Sequence, residues 1–154
     1  MIQQSQTNRQ SAIGNWQLTI GLYATAALLS LIGLTDALYL TVKHISGQSV
    51  PCSVTGGCEE VLTSSYAVIA GIPLASLGAI AYFSAFSLTI LAAFGYRSAG
   101  KLLLPLVAIM VLVSGWLFYL QAVVIRAFCQ FCLLSAATTI ALAIVTYLAW
   151  KKGS

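Results

Sequence analysis

The four cysteines of this 154-residue chain are spaced so that their thiols could react with one another. Cys129 and Cys132 form a C-x-x-C motif at the start of the last apolar stretch, so both sulfurs can meet within one helical turn. The unpaired N–H groups and the positive end of a helix N-terminus stabilise a thiolate at such a position. Arg126, three residues earlier, is expected to act in the same direction. The pattern therefore indicates a reactive thiol pair.

The other two cysteines, Cys52 and Cys58, are separated by five residues that include Gly56 and Gly57. The glycines make this segment flexible enough either to close on itself or to swing toward the C-x-x-C motif. Exchange between the two pairs would pass through a mixed disulfide by thiolate attack. Three alternatives stay open: both pairs are structural disulfides, the four thiolates bind zinc, or the cysteines are buried and unrelated. A C-x5-C arm is not the usual zinc spacing.

Composition places the chain in a membrane, because 60% of its residues are hydrophobic, 6% are charged and the mean hydropathy is +0.96. A span needs about 20 mostly apolar residues, and each span must be a helix because the bilayer core offers no water to the backbone. The sequence therefore predicts an all-α integral membrane protein, a four-transmembrane-helix bundle over residues 16–150. We expect a disordered cytoplasmic tail at 1–15 and a cytoplasmic end at 151–154. The four predicted spans are residues 16–42, 74–94, 102–125 and 128–149.

The basic residues indicate which way the spans run, since Lys and Arg collect on the cytoplasmic side of membrane proteins. Five of the seven fall on one side of the predicted topology: Arg9, Arg97, Lys101, Lys151 and Lys152. Both termini are then cytoplasmic, and all four cysteines face the periplasm or a lumen, where disulfides persist. We expect a bacterial inner membrane, with a thylakoid membrane as the other setting. No cluster of basic residues could follow nucleic-acid phosphates, so no nucleic-acid partner is expected.

The polar segment over residues 45–73 is the long extramembrane region of the chain. Within it, residues 59–66 are predicted to form a short helix, because Val61, Leu62 and Tyr66 can share one face. Such a helix would lie on the membrane as a membrane-parallel half-helix in the first outer loop. Pro73 suits the first turn of the second span.

These pieces together resemble the vitamin K epoxide reductase family, particularly its bacterial members. The resemblance covers about residues 16–150 and is carried by Cys52 and Cys58, by Glu-Glu-Val-Leu-Thr-Ser-Ser at 59–65, by Gly-Ile-Pro at 71–73 and by the C-x-x-C at 129–132. It implies a four-helix bundle that encloses a quinone of the ubiquinone, menaquinone or plastoquinone type below the half-helix. It also implies an enzyme, a membrane thiol oxidoreductase that reduces the quinone and makes disulfides for thioredoxin-like proteins on the outer side.

The resemblance implies a separate role for each cysteine. Cys132 is the thiol that meets the quinone, and Cys129 is its partner. Cys58 exchanges with Cys129, and Cys52 exchanges with substrate proteins. Many bacterial relatives continue into a fused thioredoxin-like domain, which this sequence does not contain, so the soluble partner is expected to act in trans or to have been removed from a fusion.

Three further residues are expected beside the quinone, namely Ser64, Phe131 and Phe128. The other interpretation of Ser64 is a hydroxyl bonded to its own backbone, and that of the phenylalanines is contact with lipid. Two positions depart from the vertebrate enzymes, which have a tyrosine where this chain has Ala136 and an asparagine where it has Leu74. Losing both polar groups favours plain quinone reduction over epoxide reduction.

Asp36 is the carboxylate that falls inside an apolar stretch. Acids within membrane spans are functional candidates by default, because burying their charge is costly. Asp36 either delivers protons to the quinone site or simply reaches the interface and pairs with Lys43, seven residues later.

Two alternatives compete with the quinone-linked enzyme. DsbB-like four-helix thiol oxidases have the same overall activity, but they place a C-x-x-C in the first outer loop and a wider pair in the second. This chain has the reverse order. The non-enzymatic alternative is a disulfide-stapled membrane adaptor or transport subunit, in which the cysteines would stay oxidised and resist mild reductant.

Overall fold

The computed structural model describes residues 2–153, with side chains from Arg9 to Gly153. Four long helices and one short helix dominate it, and a two-stranded antiparallel hairpin joins the short helix to the third helix of the chain. The helices are α1 (Ile2–Ile45), α2 (Cys58–Thr63), α3 (Leu74–Ala93), α4 (Arg97–Tyr119), its continuation as a π-helix (Leu120–Ile125), and α5 (Gln130–Gly153); the strands are β1 (Val68–Ile69) and β2 (Ile72–Pro73).

The predicted all-α membrane bundle is confirmed. Within the described residues, four helices are long and apolar enough to cross a bilayer: Arg9–Ile45, Leu74–Ala93, Arg97–Ile125 and Gln130–Gly153. The structure continues α1 back to Ile2, through most of the segment 1–15 where the sequence predicts a disordered tail. Extending a helix that already exists needs no new nucleus, so polar residues without proline continue the turn of the apolar segment behind them. Met1 and Ser154 lie outside the described residues.

The four long helices form a ring in which α1 and α4 each pack against both α3 and α5. Small side chains fill much of the core, including Ala26, Ala37, Ala79, Ala85 and Ala149, and they let helix backbones approach closely in lipid.

One tyrosine joins opposite helices through the middle of the bundle. Tyr82 on α3 places its hydroxyl 2.8 Å from the Ser135 carbonyl and 2.7 Å from the Thr139 hydroxyl on α5. Its ring lies against Gly33 of α1, where any Cβ would overlap it. A glycine on one helix thus makes room for the polar contact between two others.

The segment between α1 and α3 covers the end of the bundle where both pairs of cysteines lie. The β1–β2 hairpin turns through Ala70 and Gly71, both with positive φ, as tight hairpins require. The half-helix α2 is shorter than the predicted 59–66. It ends at Thr63 because the Ser64 hydroxyl donates to the Val61 carbonyl and Ser64 takes an extended conformation, which competes with further helical bonding.

Candidate active site

All four cysteines belong to one cluster of side chains at this end of the bundle. Cys58 and Cys129 are fully buried in it, whereas Cys52 and Cys132 are half-buried. The structure therefore brings together the two pairs that the sequence separates by more than 70 residues.

Cys52 and Cys58 form a disulfide, with their Cα atoms 5.8 Å apart. The residues between Pro51 and Gly57, apart from Cys52 itself, are exposed, and the Cys52 sulfur lies 3.6 Å from the Thr55 hydroxyl. Cys58 is the first residue of α2 and faces the protein interior. One sulfur of the disulfide is thus near solvent and the other is near the second thiol pair.

Two contacts fasten the cysteine loop to the start of α5. A Cβ built on Gly57 would lie 3.0 Å from the Ala127 Cβ and 3.0 Å from the backbone N and O of Phe128, so any side chain at residue 57 would require the neighbouring segment to shift. The backbone N–H of Val54 donates to the Gln130 side-chain oxygen at 3.1 Å. Cys58 directly follows Gly57, and Cys129 directly follows Phe128, so both cysteines lie next to this contact.

Cys129 caps the N-terminus of α5. Its carbonyl accepts the first bond of the helix, from the Leu133 N–H at 3.0 Å, and its own N–H donates to the Gln121 side-chain oxygen at 3.0 Å. Gln121 is buried on the π-helix. Wide helical turns of this kind are frequent at functional sites, and here the turn carries an amide that accepts the hydrogen bond of the Cys129 backbone N–H.

Hydrogen bonds from the Cys132 thiol lower the pKa of Cys129 from its usual value to about 7, helped by the backbone N–H groups of Cys132 and Phe131 and opposed by burial. A side chain that accepts bonds from the second and third helical residues is an N-cap, so the position of Cys129 favours its thiolate form, in the direction that the motif predicts. Arg126 is not among the groups that lower this pKa, which corrects the expected contribution of its charge. Instead, Arg126 adopts φ +56° and ends the π-helix.

A cavity of about 130 Å³ lies beneath α2 between the ends of the four long helices. Its wall is mainly apolar and contains Cys132, so the C-x-x-C motif borders the disulfide cluster through Cys129 and the cavity through Cys132. Val61, Leu62 and Tyr66, which the sequence places on one face, all line it. The geometry joins a solvent-side disulfide to an intramembrane cavity through one thiol pair.

Of the three residues expected beside the quinone, one lines the cavity and two do not. Ser64 lines the cavity, and its hydroxyl donates to the Val61 carbonyl one turn earlier in the chain. Phe131 and Phe128 do not belong to the cavity wall. The ring of Phe131 lies 5.2 Å from that of Tyr39, and the ring of Phe128 lies 6.2 Å from that of Phe118. Phe128 precedes α5, whereas Phe131 lies in its first turn beside Cys132, which does line the cavity.

Both positions that depart from the vertebrate pattern, Leu74 and Ala136, line the cavity. Asp36 lines it as well and is buried. The expected pairing of Asp36 with Lys43 is wrong, because the Lys43 ammonium donates to the Gln48 side-chain oxygen at 3.0 Å and lies over the Tyr39 ring.

Gln121 was not predicted from the sequence. The signal that could have found it is a lone amide inside an otherwise apolar span, since polar side chains at that depth need a partner. Its partner, the N–H of Cys129, could not be identified from spacing alone.

The fold and the paired thiols define a class, the four-helix membrane oxidoreductases that act on thiols. The chain belongs to the vitamin K epoxide reductase family, whose family model matches residues 24–147. A similar protein is the thiol-disulfide oxidoreductase LTO1 of Arabidopsis thaliana, which is 40% identical over 50 residues. That segment amounts to 32% of this chain and 13% of LTO1.

The lowered pKa of Cys129 predicts a thiolate that appears near neutral pH. In a Cys52→Ala, Cys58→Ala variant under reducing conditions, the ultraviolet absorbance of the thiolate should rise with a midpoint at about pH 7. Replacing Cys132 by Ala removes the largest stabilising hydrogen bond, so the midpoint should move up toward the ordinary thiol value. An unchanged midpoint in that variant would contradict the assignment of the cause.

Proposed function

We propose that the chain is a membrane thiol oxidoreductase that reduces a quinone and makes disulfides for thioredoxin-like partner proteins. One observation carries the proposal: the Cys129–Cys132 pair lies between a solvent-side disulfide and an apolar cavity, touching one through Cys129 and the other through Cys132. A structural staple would not need to border both.

Electrons would pass inward through two exchange reactions. A reduced dithiol partner attacks the Cys52–Cys58 disulfide at the half-exposed Cys52. The partner dissociates in its oxidised, disulfide form, and both loop cysteines remain as thiols. The Cys58 thiolate then attacks Cys129 of the oxidised C-x-x-C, and Cys132 departs as a thiolate. Attack of Cys52 on Cys58 re-forms the loop disulfide and releases Cys129, so two electrons have moved to the inner pair.

The cavity suits the ring of a quinone as the final electron acceptor. Cavities of roughly 150 Å³ lined by aliphatic side chains bind benzene, and this one is about 130 Å³ with the Cys132 side chain in its wall. Polar groups in the wall, among them Ser64 and Gln121, are few and could orient the quinone oxygens. Leu74 and Ala136 offer no hydrogen bond to an epoxide oxygen, which favours plain quinone reduction. The acceptor would be of the ubiquinone, menaquinone or plastoquinone type.

Charge and topology favour an active site on the outer side of the membrane. An even number of spans puts both ends of the chain on one side, and five of the seven basic residues lie at that end. The cysteine end would then face the periplasm of a bacterial inner membrane or a thylakoid lumen. The partner that meets Cys52 there would be a thioredoxin-like protein acting in trans or a domain of a longer fusion.

Quinone reduction by the purified chain tests this proposal. Given a reduced thioredoxin-like donor, the wild type should turn over and Cys132→Ala should lose activity entirely, because no disulfide can re-form with Cys129. Cys52→Ala should be inactive with the protein donor yet still reduce quinone with a small dithiol that reaches the inner pair directly.

A different result would overturn the proposal. If the wild type reduces no quinone while its cysteines stay locked as disulfides under mild reductant, the chain is a disulfide-stapled adaptor or transport subunit. If Cys52→Ala is fully active with the protein donor, the order of the relay is wrong.

The cavity itself is tested by a pair of neighbouring substitutions. Ala136→Phe puts a ring into the cavity, and crowding of about 1–3 kcal/mol should slow quinone reduction by roughly tenfold or more, with the dithiol reduction of Cys129–Cys132 unaffected. Ala137→Phe is the control, because Ala137 is exposed on the lipid side of α5. Equal activities of the two variants, followed by quinol absorbance, would exclude this cavity as the quinone site.

A further inference from the structure

Asp36 has an unusual environment for a carboxyl group. It lies on α1 within the first membrane span, is 7% exposed, and lines the same cavity as Cys132. Its Oδ2 atom is buried and has no hydrogen-bond partner among the described residues. Buried polar atoms without partners are rare in native structures, and each calls for a reason.

Electrostatics favours the neutral form of this side chain. Burying an unpaired charge is far more costly than burying a neutral acid, and the basic residue nearest in sequence, Lys43, donates to Gln48 instead. The other titratable groups around Asp36 or on its cavity are Cys129 and Cys132 at the start of α5, Tyr82 on α3, Tyr66 in the loop and His44 on α1. None of these is a fixed positive charge that would hold Asp36 ionised, so its burial favours the protonated form, which can donate a proton.

Reduction of a quinone to a quinol consumes two electrons and two protons. Because the pKa of Cys129 is lowered to about 7, a large share of the reduced inner pair near neutral pH consists of one thiolate and one thiol, and this is the reactive form. It therefore carries both electrons but only one of the two protons. The second must come from another acid that touches the cavity.

We propose that Asp36 is the general acid that supplies the second proton to the quinone. This inference rests on the proposed function. The Cys129 thiolate and the Cys132 thiol become a disulfide, the two electrons go to the quinone, and the quinone takes one proton from Cys132 and one from Asp36. The negative charge starts on Cys129 and ends on the Asp36 carboxylate, so the reaction balances in charge as well as in electrons and protons.

The carboxylate then regains its proton from the cysteine end of the bundle. Asp36, Leu40 and His44 are spaced four residues apart on α1 and all line the cavity, which is the spacing of one helix face. His44 is only partly buried and stands two turns nearer to the loop, so it is placed to pass protons from outside water to Asp36.

Single-turnover experiments on the full chain in lipid nanodiscs test the proposal. The chain is reduced with dithiothreitol, freed of it, and mixed with a short-tailed ubiquinone while quinol absorbance and an indicator dye for proton uptake are recorded. The variants are Asp36→Asn, Asp36→Glu and, as the control, Thr35→Val, which alters an exposed polar residue beside Asp36 that bonds only its own backbone. Reduction of the oxidised chain by dithiothreitol without quinone measures disulfide exchange alone.

General acids contribute about 10²–10⁴-fold, so Asp36→Asn should slow quinol formation by roughly a hundredfold while dithiothreitol reduction and Thr35→Val stay at wild-type rates. Asp36→Glu should recover part of the rate. In the wild type, uptake of one proton from solution should follow quinol formation, because Asp36 is reprotonated afterwards. In Asp36→Asn the second proton comes directly from solution, so proton uptake should coincide with quinol formation. The rate of quinol formation by that variant should fall as pH rises. The infrared difference spectrum of the wild type should lose the C=O stretch of a protonated carboxyl group on quinone reduction, and Asp36→Asn should lack that band.

Quinol formation by Asp36→Asn within about twofold of wild type would overturn the role of Asp36 and leave the proposed function standing. Equal loss of quinol formation and of dithiothreitol reduction would also overturn it, because Asp36 would then be structural. A wild type whose disulfides exchange but which reduces no quinone would overturn the proposed function and this inference together.

Discussion

The contact between Gly57 and the turn before α5 is the constraint on which the rest of the site depends. A Cβ at residue 57 would meet Ala127 and Phe128 at 3.0 Å, so the two backbones touch with nothing between them. This contact puts Cys58 beside the segment that carries Cys129, and both sulfurs are sealed from solvent. Exchange between two disulfides needs this proximity, since the attacking thiolate must reach a specific sulfur. The hydrogen bond from the Val54 N–H to the Gln130 side-chain oxygen holds the same two segments together.

The bundle beneath this contact serves to separate two environments. On the solvent side, Cys52 is half-exposed in a loop of small, mostly exposed residues; on the lipid side, Cys132 borders a cavity whose wall is mainly apolar. The π-helix connects the two by placing Gln121 against the Cys129 backbone. In the proposed reaction, the Cys129–Cys132 disulfide accepts electrons from thiols on the solvent side, and the reduced pair donates them to a quinone dissolved in the bilayer.

Most of the fold could be predicted from the sequence because the bilayer imposes it. Apolar runs of about 20 residues can only be helices at that depth, and the predicted ends at residues 74 and 125 agree with the structure. The C-x-x-C position was equally predictable, since a helix start stabilises a thiolate. The polarity of residues 1–15 predicts disorder, whereas the structure continues α1 back to Ile2, because a helix propagates easily once begun. Phe128 and Phe131 are close to Cys132 in the sequence, but they do not line the cavity, and sequence proximity alone does not determine which way these rings face. Contacts between distant segments, such as Gln121 with Cys129, leave no trace in local spacing.

The most direct test is to trap the exchange intermediate. A Cys52→Ala, Cys132→Ala double variant keeps Cys58 and Cys129 as its two cysteines, and mild oxidation should join them in one intramolecular disulfide, identified by mass spectrometry of the linked peptides. Adding Gly57→Val should separate the touching backbones and slow this by about tenfold, given crowding of about 1–3 kcal/mol, whereas Ser53→Ala in the exposed loop should not. Failure of Cys58 and Cys129 to join, or joining that is insensitive to Gly57→Val, would contradict the account.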